Sequence, residues 1–202
     1  KFFVPRICFI NKMDRIGADF EKSLKAIWER LSPNAVTLQL PIGAEDKFEG
    51  AVDLLKMKAF RYGGDNGEIV TEGEIPSDMV EKAKEWREKL IEKIVAEDDQ
   101  LLEKYLAKEE ISVDELKKAL RKATISYKLI PVFCGASLRN KGVQPVIDAA
   151  CYYLPSPLDL PPVKGTDPKT GETVEKKADD SEPFAALAFK IAADPYVGTL
   201  TF

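Results

Sequence analysis

The sequence predicts an α/β fold, with a parallel sheet built from two separated stretches of chain and an α+β subdomain inserted between them. Three observations carry this. Ile7-Cys8-Phe9-Ile10 and Leu129-Ile130-Pro131-Val132-Phe133-Cys134 are near-continuous apolar runs, the pattern of strands buried on both faces. Each run leads into a polar loop and then into an apolar stripe at helical spacing, giving two strand–loop–helix units. The stretch between them, residues 35–126, carries alternating strand patterns followed by amphipathic helices. The outer parts therefore belong together, and the middle is an insertion.

After the first strand, Arg15-Ile16-Gly17-Ala18 reads as a turn and Asp19 as a helix cap. Phe20, Leu24, Ile27 and Leu31 form the stripe of the helix that follows, and Ser32-Pro33 stops it. Residues 36–40 read as a strand. Residues 48–62 hold two further short strands or one bent one, around Ala51-Val52-Asp53-Leu54-Leu55 and Met57-Lys58-Ala59-Phe60. Gly63-Gly64-Asp65-Asn66-Gly67 is a turn whose residues tolerate positive φ, and residues 68–74 alternate like an edge strand. A long helix is predicted from Ile75-Pro76-Ser77-Asp78 onward, with Met79, Ala83, Trp86, Leu90 and Ile94 inward. Two shorter helices are predicted over 99–108 and 112–126, the second opened by a capping box at Ser112-Val113-Asp114-Glu115. The helix after the second apolar run spans 142–154, with Val143, Val146, Ile147, Ala150 and Leu154 on one face and Pro145 tolerated in the first turn. Pro155-Ser156-Pro157 and Pro161-Pro162 make a stiff linker. Residues 165–180 are polar and turn-rich, and 185–191 and 197–202 read as the first strands of another domain. The chain opens on Lys1 and closes on a strand-like pattern, so a piece of a longer protein is expected.

Composition narrows the class. The chain has 202 residues, 45% of them apolar and 32% charged, with net charge −4. This balance gives no overall nucleic-acid footprint, and no run is long enough to span a membrane. Phe2-Phe3-Val4 is too short for a signal peptide and is followed by Pro5. Cys8, Cys134 and Cys151 are odd in number and lack CxxC spacing, which fits buried reduced thiols in a cytoplasmic protein. There is no histidine, which excludes a His base or His metal ligand within this chain.

Asn11-Lys12-Met13-Asp14, at the end of the first apolar run, has the composition of a guanine-reading loop, placed where an open α/β sheet receives ligands. An ionised Asp14 carboxylate has acceptors and no donor, and guanine presents N1–H and the N2 amine side by side. Adenine lacks that pair and would leave the carboxylate unpaired, at a cost of roughly 1–3 kcal/mol. Lys12 lays its methylene stem along the base while its ammonium stays solvated, and Asn11 ties the loop through its amide. The second loop, Gly135-Ala136-Ser137-Leu138, has small residues that let backbone N–H groups approach a ligand. The N–H of Ser137 is the expected contact to guanine O6. Each loop taken alone is also what an ordinary polar turn after a strand looks like; together they favour base recognition.

These residues resemble the elongation factor G family of translational GTPases. Asn11-Lys12-Met13-Asp14-Arg15 is similar to the family's N-K-x-D motif. Leu40-Pro41-Ile42-Gly43, Glu45-Asp46-Lys47-Phe48-Glu49-Gly50 and Met57-Lys58-Ala59 resemble its insertion. Asn140-Lys141-Gly142-Val143-Gln144, Tyr153-Leu154-Pro155-Ser156-Pro157 and Asp194-Pro195-Tyr196-Val197-Gly198 resemble later signatures. The resemblance implies part of a P-loop-GTPase-like parallel sheet over 1–34 and 127–157, an inserted α+β subdomain over 35–126, and a linker with the start of a β-barrel domain over 158–202. It also implies GTP or GDP as ligand, read by Asn11, Lys12, Asp14, Ala136, Ser137 and Leu138, and movement of tRNA and mRNA on the ribosome as the activity of the parent protein. The family usually has Gly-Ser-Ala in the second loop, whereas this chain has Gly135-Ala136-Ser137, so a hydroxyl that would brace Asp14 is absent from position 136. No GxxxxGK[ST] pattern is present, and the family's catalytic His would precede Lys1. No catalytic residue and no Mg²⁺ ligand is therefore expected here, and the chain alone is expected not to hydrolyse GTP.

The insertion carries one more signal. Residues 78–115 contain seven Lys or Arg against thirteen Asp or Glu. Glu81, Glu85, Glu88 and Glu92 share one helix face, partly balanced by a Glu85–Lys89 pair. A solvated face accounts for this. The resemblance implies a sharper role, docking to the basic stalk proteins of the large ribosomal subunit, with ribosomal RNA contacted by other parts of the parent. A related translational GTPase of the ribosomal-protection or release-factor type, or a non-enzymatic protein-binding module, remain alternatives at this level.

Overall fold

The computed structural model describes residues 4–202, so Phe2 and Phe3 of the short apolar start lie outside the described residues. The chain divides into two compact units, Lys1–Leu154 and Pro155–Phe202.

In the first unit, strand β1 (Cys8–Ile10) lies parallel to β7 (Ile130–Cys134), and β7 lies parallel to β2 (Ala35–Thr37), in the order β1-β7-β2. The register pairs Cys8 with Val132 and Ile10 with Cys134. All five residues of β7 are buried, as its unbroken apolar run requires for a central strand. Strands distant in sequence are thus nearest neighbours, and the C-terminal ends of β1 and β7 finish level.

Four antiparallel strands form the second sheet: β3 (Gln39–Ile42), β4 (Gly50–Asp53), β5 (Lys58–Gly63) and β6 (Ile69–Gly73), in that order. The single strand expected over 36–40 is two strands in two sheets. Ala35–Thr37, grouped in sequence with the insertion, pairs with β7 instead. The handover occurs at Leu38, whose N–H donates to Val132 O while its carbonyl accepts from Leu54 N–H. Both flanking polar side chains are buried and partnered: Thr37 Oγ1 donates to Gln39 O, and Gln39 Oε1 accepts from Cys134 N–H. Unpaired, each would cost free energy at this junction.

Helix α1 (Phe20–Arg30) is capped by Asp19, which accepts from Lys22 N–H. Leu31, expected in its buried stripe, lies past the last turn and is exposed. Helix α2 (Val80–Val95) buries Ala83, Leu90 and Ile94, with Met79 and Trp86 packed at the margin. Trp86 stacks on Trp28 of α1 with ring centroids 6.3 Å apart, and Trp28 Nε1 donates to Ala35 O. Helices α3 (Asp99–Leu106) and α4 (Val113–Ile125) follow, the latter with the capping box at Ser112 and Glu115 in place. Helix α4 packs against α2 and against α5 (Val143–Tyr153).

The face of α5 differs from expectation. Ala149 and Tyr153 are buried and Val146 packs on the core, whereas Ile147 is 58% exposed. This helix is apolar on more than one side, so periodicity does not select its inward face.

The second unit contains two hairpins, β8 (Val163–Thr166) with β9 (Thr173–Lys176), and β10 (Ile191–Asp194) with β11 (Gly198–Thr201). The β8–β9 hairpin occupies part of the stretch expected to be irregular, turning through Asp167, which accepts from Lys169 N–H, and Gly171 at φ +74°. The strand expected over 185–191 begins only at Ile191.

Candidate guanine-reading site

The two polar loops leave the ends of β1 and β7, so the parallel pairing itself brings them together. Ladder-like bonding continues past the strands: Gly135 N–H donates to Ile10 O and Met13 N–H donates to Gly135 O, both at 3.0 Å. A Cβ at Gly135 would sit 2.4 Å from Lys141 O and 2.8 Å from Phe9 Cζ. Only glycine permits this approach without displacement.

Asn11 is the clasp between the loops. Its Nδ2 donates to Ser137 Oγ at 2.9 Å, and its Oδ1 accepts from Ser137 N–H at 2.9 Å and from Lys12 N–H at 2.8 Å. Both ends of the amide are used, across 126 positions of sequence. Lys12 adopts φ +65° and is exposed, while Met13 beside it is buried at 2% exposure. The left-handed residue turns the chain so that Met13 enters the core and Asp14 follows at the rim. Met13 O accepts from Glu45 N–H, and Glu45 Oε1 accepts from Gly17 N–H at 2.6 Å. The connection between β3 and β4 thereby props the first loop from below.

The Asp14 side chain is 14% exposed and its Oδ2 lies 3.3 Å from Arg139 Nε. The second loop is closed by a backbone exchange between Ala136 and Lys141 and contains a 3-10 turn, Ser137–Arg139. Asn140 and Gly142, both at positive φ, bring it back into α5. Lys141 Nζ donates to Phe48 O, anchoring this loop on the insertion as well. Ala136 is buried and Leu138 is 85% exposed.

One detailed expectation changes. The Ser137 N–H, expected to face a base carbonyl, donates to Asn11. Among the described residues the Leu138 N–H has no acceptor, and it is the amide left in this loop to meet a ligand. The Ser137 hydroxyl braces Asn11, not Asp14. Asp14 is held by Arg139, to which the sequence reading gave no role. Neither the Arg139 contact nor the Glu45 prop leaves a pattern along the chain.

On the acidic face of α2, Glu81 pairs with Lys84 at 2.9 Å and Glu85 with Lys89 at 2.6 Å. The Lys89 hydrogen bond holds the Glu85 carboxyl below its ordinary pKa. Glu92 accepts from Tyr105 Oη of α3 at 3.4 Å, so it is turned toward a neighbouring helix, and Glu88 stays exposed.

Chemically, the site offers one carboxylate at a rim, a free backbone donor in the neighbouring loop, and a lysine stem. That set suits a planar base with adjacent N–H donors and a carbonyl. Among the described residues no three His, Cys, Asp or Glu side chains converge as a metal site would.

Residues 1–156 match the family described as Elongation factor Tu GTP binding domain. The chain belongs to this family. It is also 55% identical to elongation factor G of Aquifex pyrophilus over all of its own length, and spans 29% of the length of that relative. A crystal structure of a protein from Thermus thermophilus superposes with a TM-score of 0.75 at 28% identity, covering 98% of this chain and 26% of that one. In this elongation-factor GTP-binding domain, the parallel sheet sets both polar loops on one edge. No helix among the described residues is long and apolar enough to cross a membrane.

Proposed function

We propose that this chain is the guanine-reading and insertion portion of a translational GTPase of the elongation factor G kind. The parent would use GTP to promote movement of tRNA and mRNA on the ribosome in the cytoplasm. The observation that carries the reading is the Asn11 clasp, which ties the loop that holds Asp14 to the loop that holds Ser137 and Leu138. Asp14 accepts from base N1–H and the N2 amine. Lys12 covers one face of the base, Asn11 and Gly135 hold the loops in register, the buried Ala136 backs the second loop, and the Leu138 N–H meets O6. The phosphates, the Mg²⁺ and the hydrolytic machinery belong to other segments of the parent, and residues 158–202 begin its β-barrel domain. This chain alone is expected to give no turnover in a radiolabelled GTPase assay.

The test is calorimetry with GDP on the full-length factor that carries this segment. Asp14→Asn puts a donor where the base needs an acceptor, so GDP affinity is expected to fall at least about tenfold, with preference moving toward xanthine nucleotides. Unchanged GDP binding would leave the Asn11 loop a structural turn. The exposed acidic residues of α2, Glu85 and Glu88 above all, form a docking face for basic stalk proteins of the large ribosomal subunit, favoured by electrostatic steering. Reversing both charges should weaken stalk binding, and full retention would count against that role.

A further inference from the structure

We infer that Arg139 is a positioning residue that orients the Asp14 carboxylate for the base. This rests on the reading of Asp14 given above and adds a residue to it. The Asp14 side chain is 14% exposed, and the Arg139 Nε at 3.3 Å from Oδ2 is its partner. No other side chain supplies that role among the described residues. Ala136 has no hydroxyl, and the Ser137 hydroxyl is occupied by Asn11.

The geometry gives Arg139 a fixed platform. It ends the 3-10 turn that Asn11 holds at Ser137, and its N–H donates to Ala136 O. Its carbonyl sits against the β5–β6 turn, where a Cβ on Gly67 would come within 2.4 Å. Backbone is therefore confined on both sides while the side chain, 69% exposed, reaches across the loop to Asp14. A carboxylate has two oxygens and about four acceptor sites. The guanidinium beside Oδ2 leaves acceptor sites for two base donors while its charge holds the carboxylate toward the second loop. An ion pair with so exposed a partner contributes little to folding, so its effect should show in base selection and not in stability.

The experiment uses the full-length factor, with GDP and inosine diphosphate as probes. The inosine base lacks the N2 amine and so engages the carboxylate through one donor only. Arg139→Met keeps the stem and removes the charge. It is expected to lower GDP affinity by roughly two- to tenfold and to narrow the GDP-over-IDP preference, with the melting temperature unchanged. Arg139→Lys, a charge without the fork, should restore part of the preference. Added to Asp14→Asn, Arg139→Met should have no further effect. If Arg139→Met leaves affinity and preference as they are, or tightens GDP, the inference is overturned while the reading of Asp14 stands. If Asp14→Asn itself leaves GDP binding unchanged, both fall.

Discussion

Replacing Gly135 by alanine should strike the contact between the two loops directly. The added methyl would lie 2.4 Å from Lys141 O and 2.8 Å from Phe9 Cζ. The Phe9 ring is packed against the core. The Lys141 carbonyl cannot move freely, because it accepts from Ala136 N–H at 2.8 Å and closes the loop. Overpacking of this kind costs about 1–3 kcal/mol. Gly135 also makes two backbone bonds to the first loop, at 3.0 Å each, and loss of one adds about 0.5–1.5 kcal/mol. The expected destabilisation is therefore about 2–4 kcal/mol, a large share of the ~5–15 kcal/mol typical of a domain. Urea unfolding followed by tryptophan emission reads it out, since Trp28 and Trp86 both lie in the Lys1–Leu154 unit. Two glycines of that unit calibrate the result. Gly17 has open space but φ +79°, so Gly17→Ala should cost about 1–2 kcal/mol. Gly63 has an ordinary φ and no neighbour nearer than 4.0 Å, so Gly63→Ala should be neutral or stabilising by up to about 1 kcal/mol. Gly135→Ala within about 0.5 kcal/mol of the parent chain, or no worse than Gly17→Ala, would refute the claim that the loops are packed edge to edge.

Glu45→Ala removes the acceptor for Gly17 N–H and should destabilise the same unit by about 1–3 kcal/mol in urea, with Glu45→Gln recovering part of it; equal stability of all three proteins would dismiss the prop. The thiols should separate by reactivity toward a disulfide reagent. Cys151 is exposed and should react first. Burial pushes Cys134 up to about 12 and also raises Cys8, so Cys134 should react only on unfolding; early labelling of Cys134 would contradict the central placement of β7. The Lys104 hydrogen bond, joined by those from Ser112, holds the Glu115 carboxyl down to about 2, from an ordinary 4.5. A depressed native pKa gives stability that is complete above the unfolded value and fades as pH falls toward the native one. The stability gap between the parent and Glu115→Gln should thus be full above pH 4.5 and shrink toward pH 2; a constant gap across that window would exclude the linkage.

Much of the architecture is legible because burial writes periodicity into sequence. The unbroken apolar run of β7 announces a strand covered on both faces, and all five residues are buried. Asp19, Ser112 and Glu115 mark helix starts because orphan N–H groups need nearby oxygens. Where one residue faces two environments the signal fails. Leu38 sits between sheets, so 36–40 looks like one strand although its backbone serves two. Helix α5 is apolar on several sides, and only its packing on the core selects Ala149 and Tyr153 over Ile147.

The same division runs through the site. Sequence alone determined its residue types and its two loops, because a carboxylate, an amide and small residues at strand ends are local facts. Only the tertiary structure decided who holds whom. Asn11 spends its whole amide on Ser137 and the adjoining Lys12 N–H, Asp14 turns to Arg139, and Glu45 props the chain at Gly17. Those choices depend on β1 lying beside β7, and on left-handed turns at Lys12, Glu45 and Asn140. A hydrogen bond spanning 126 residues leaves no periodic trace, since its geometry is fixed by where the strands end and not by what lies between them.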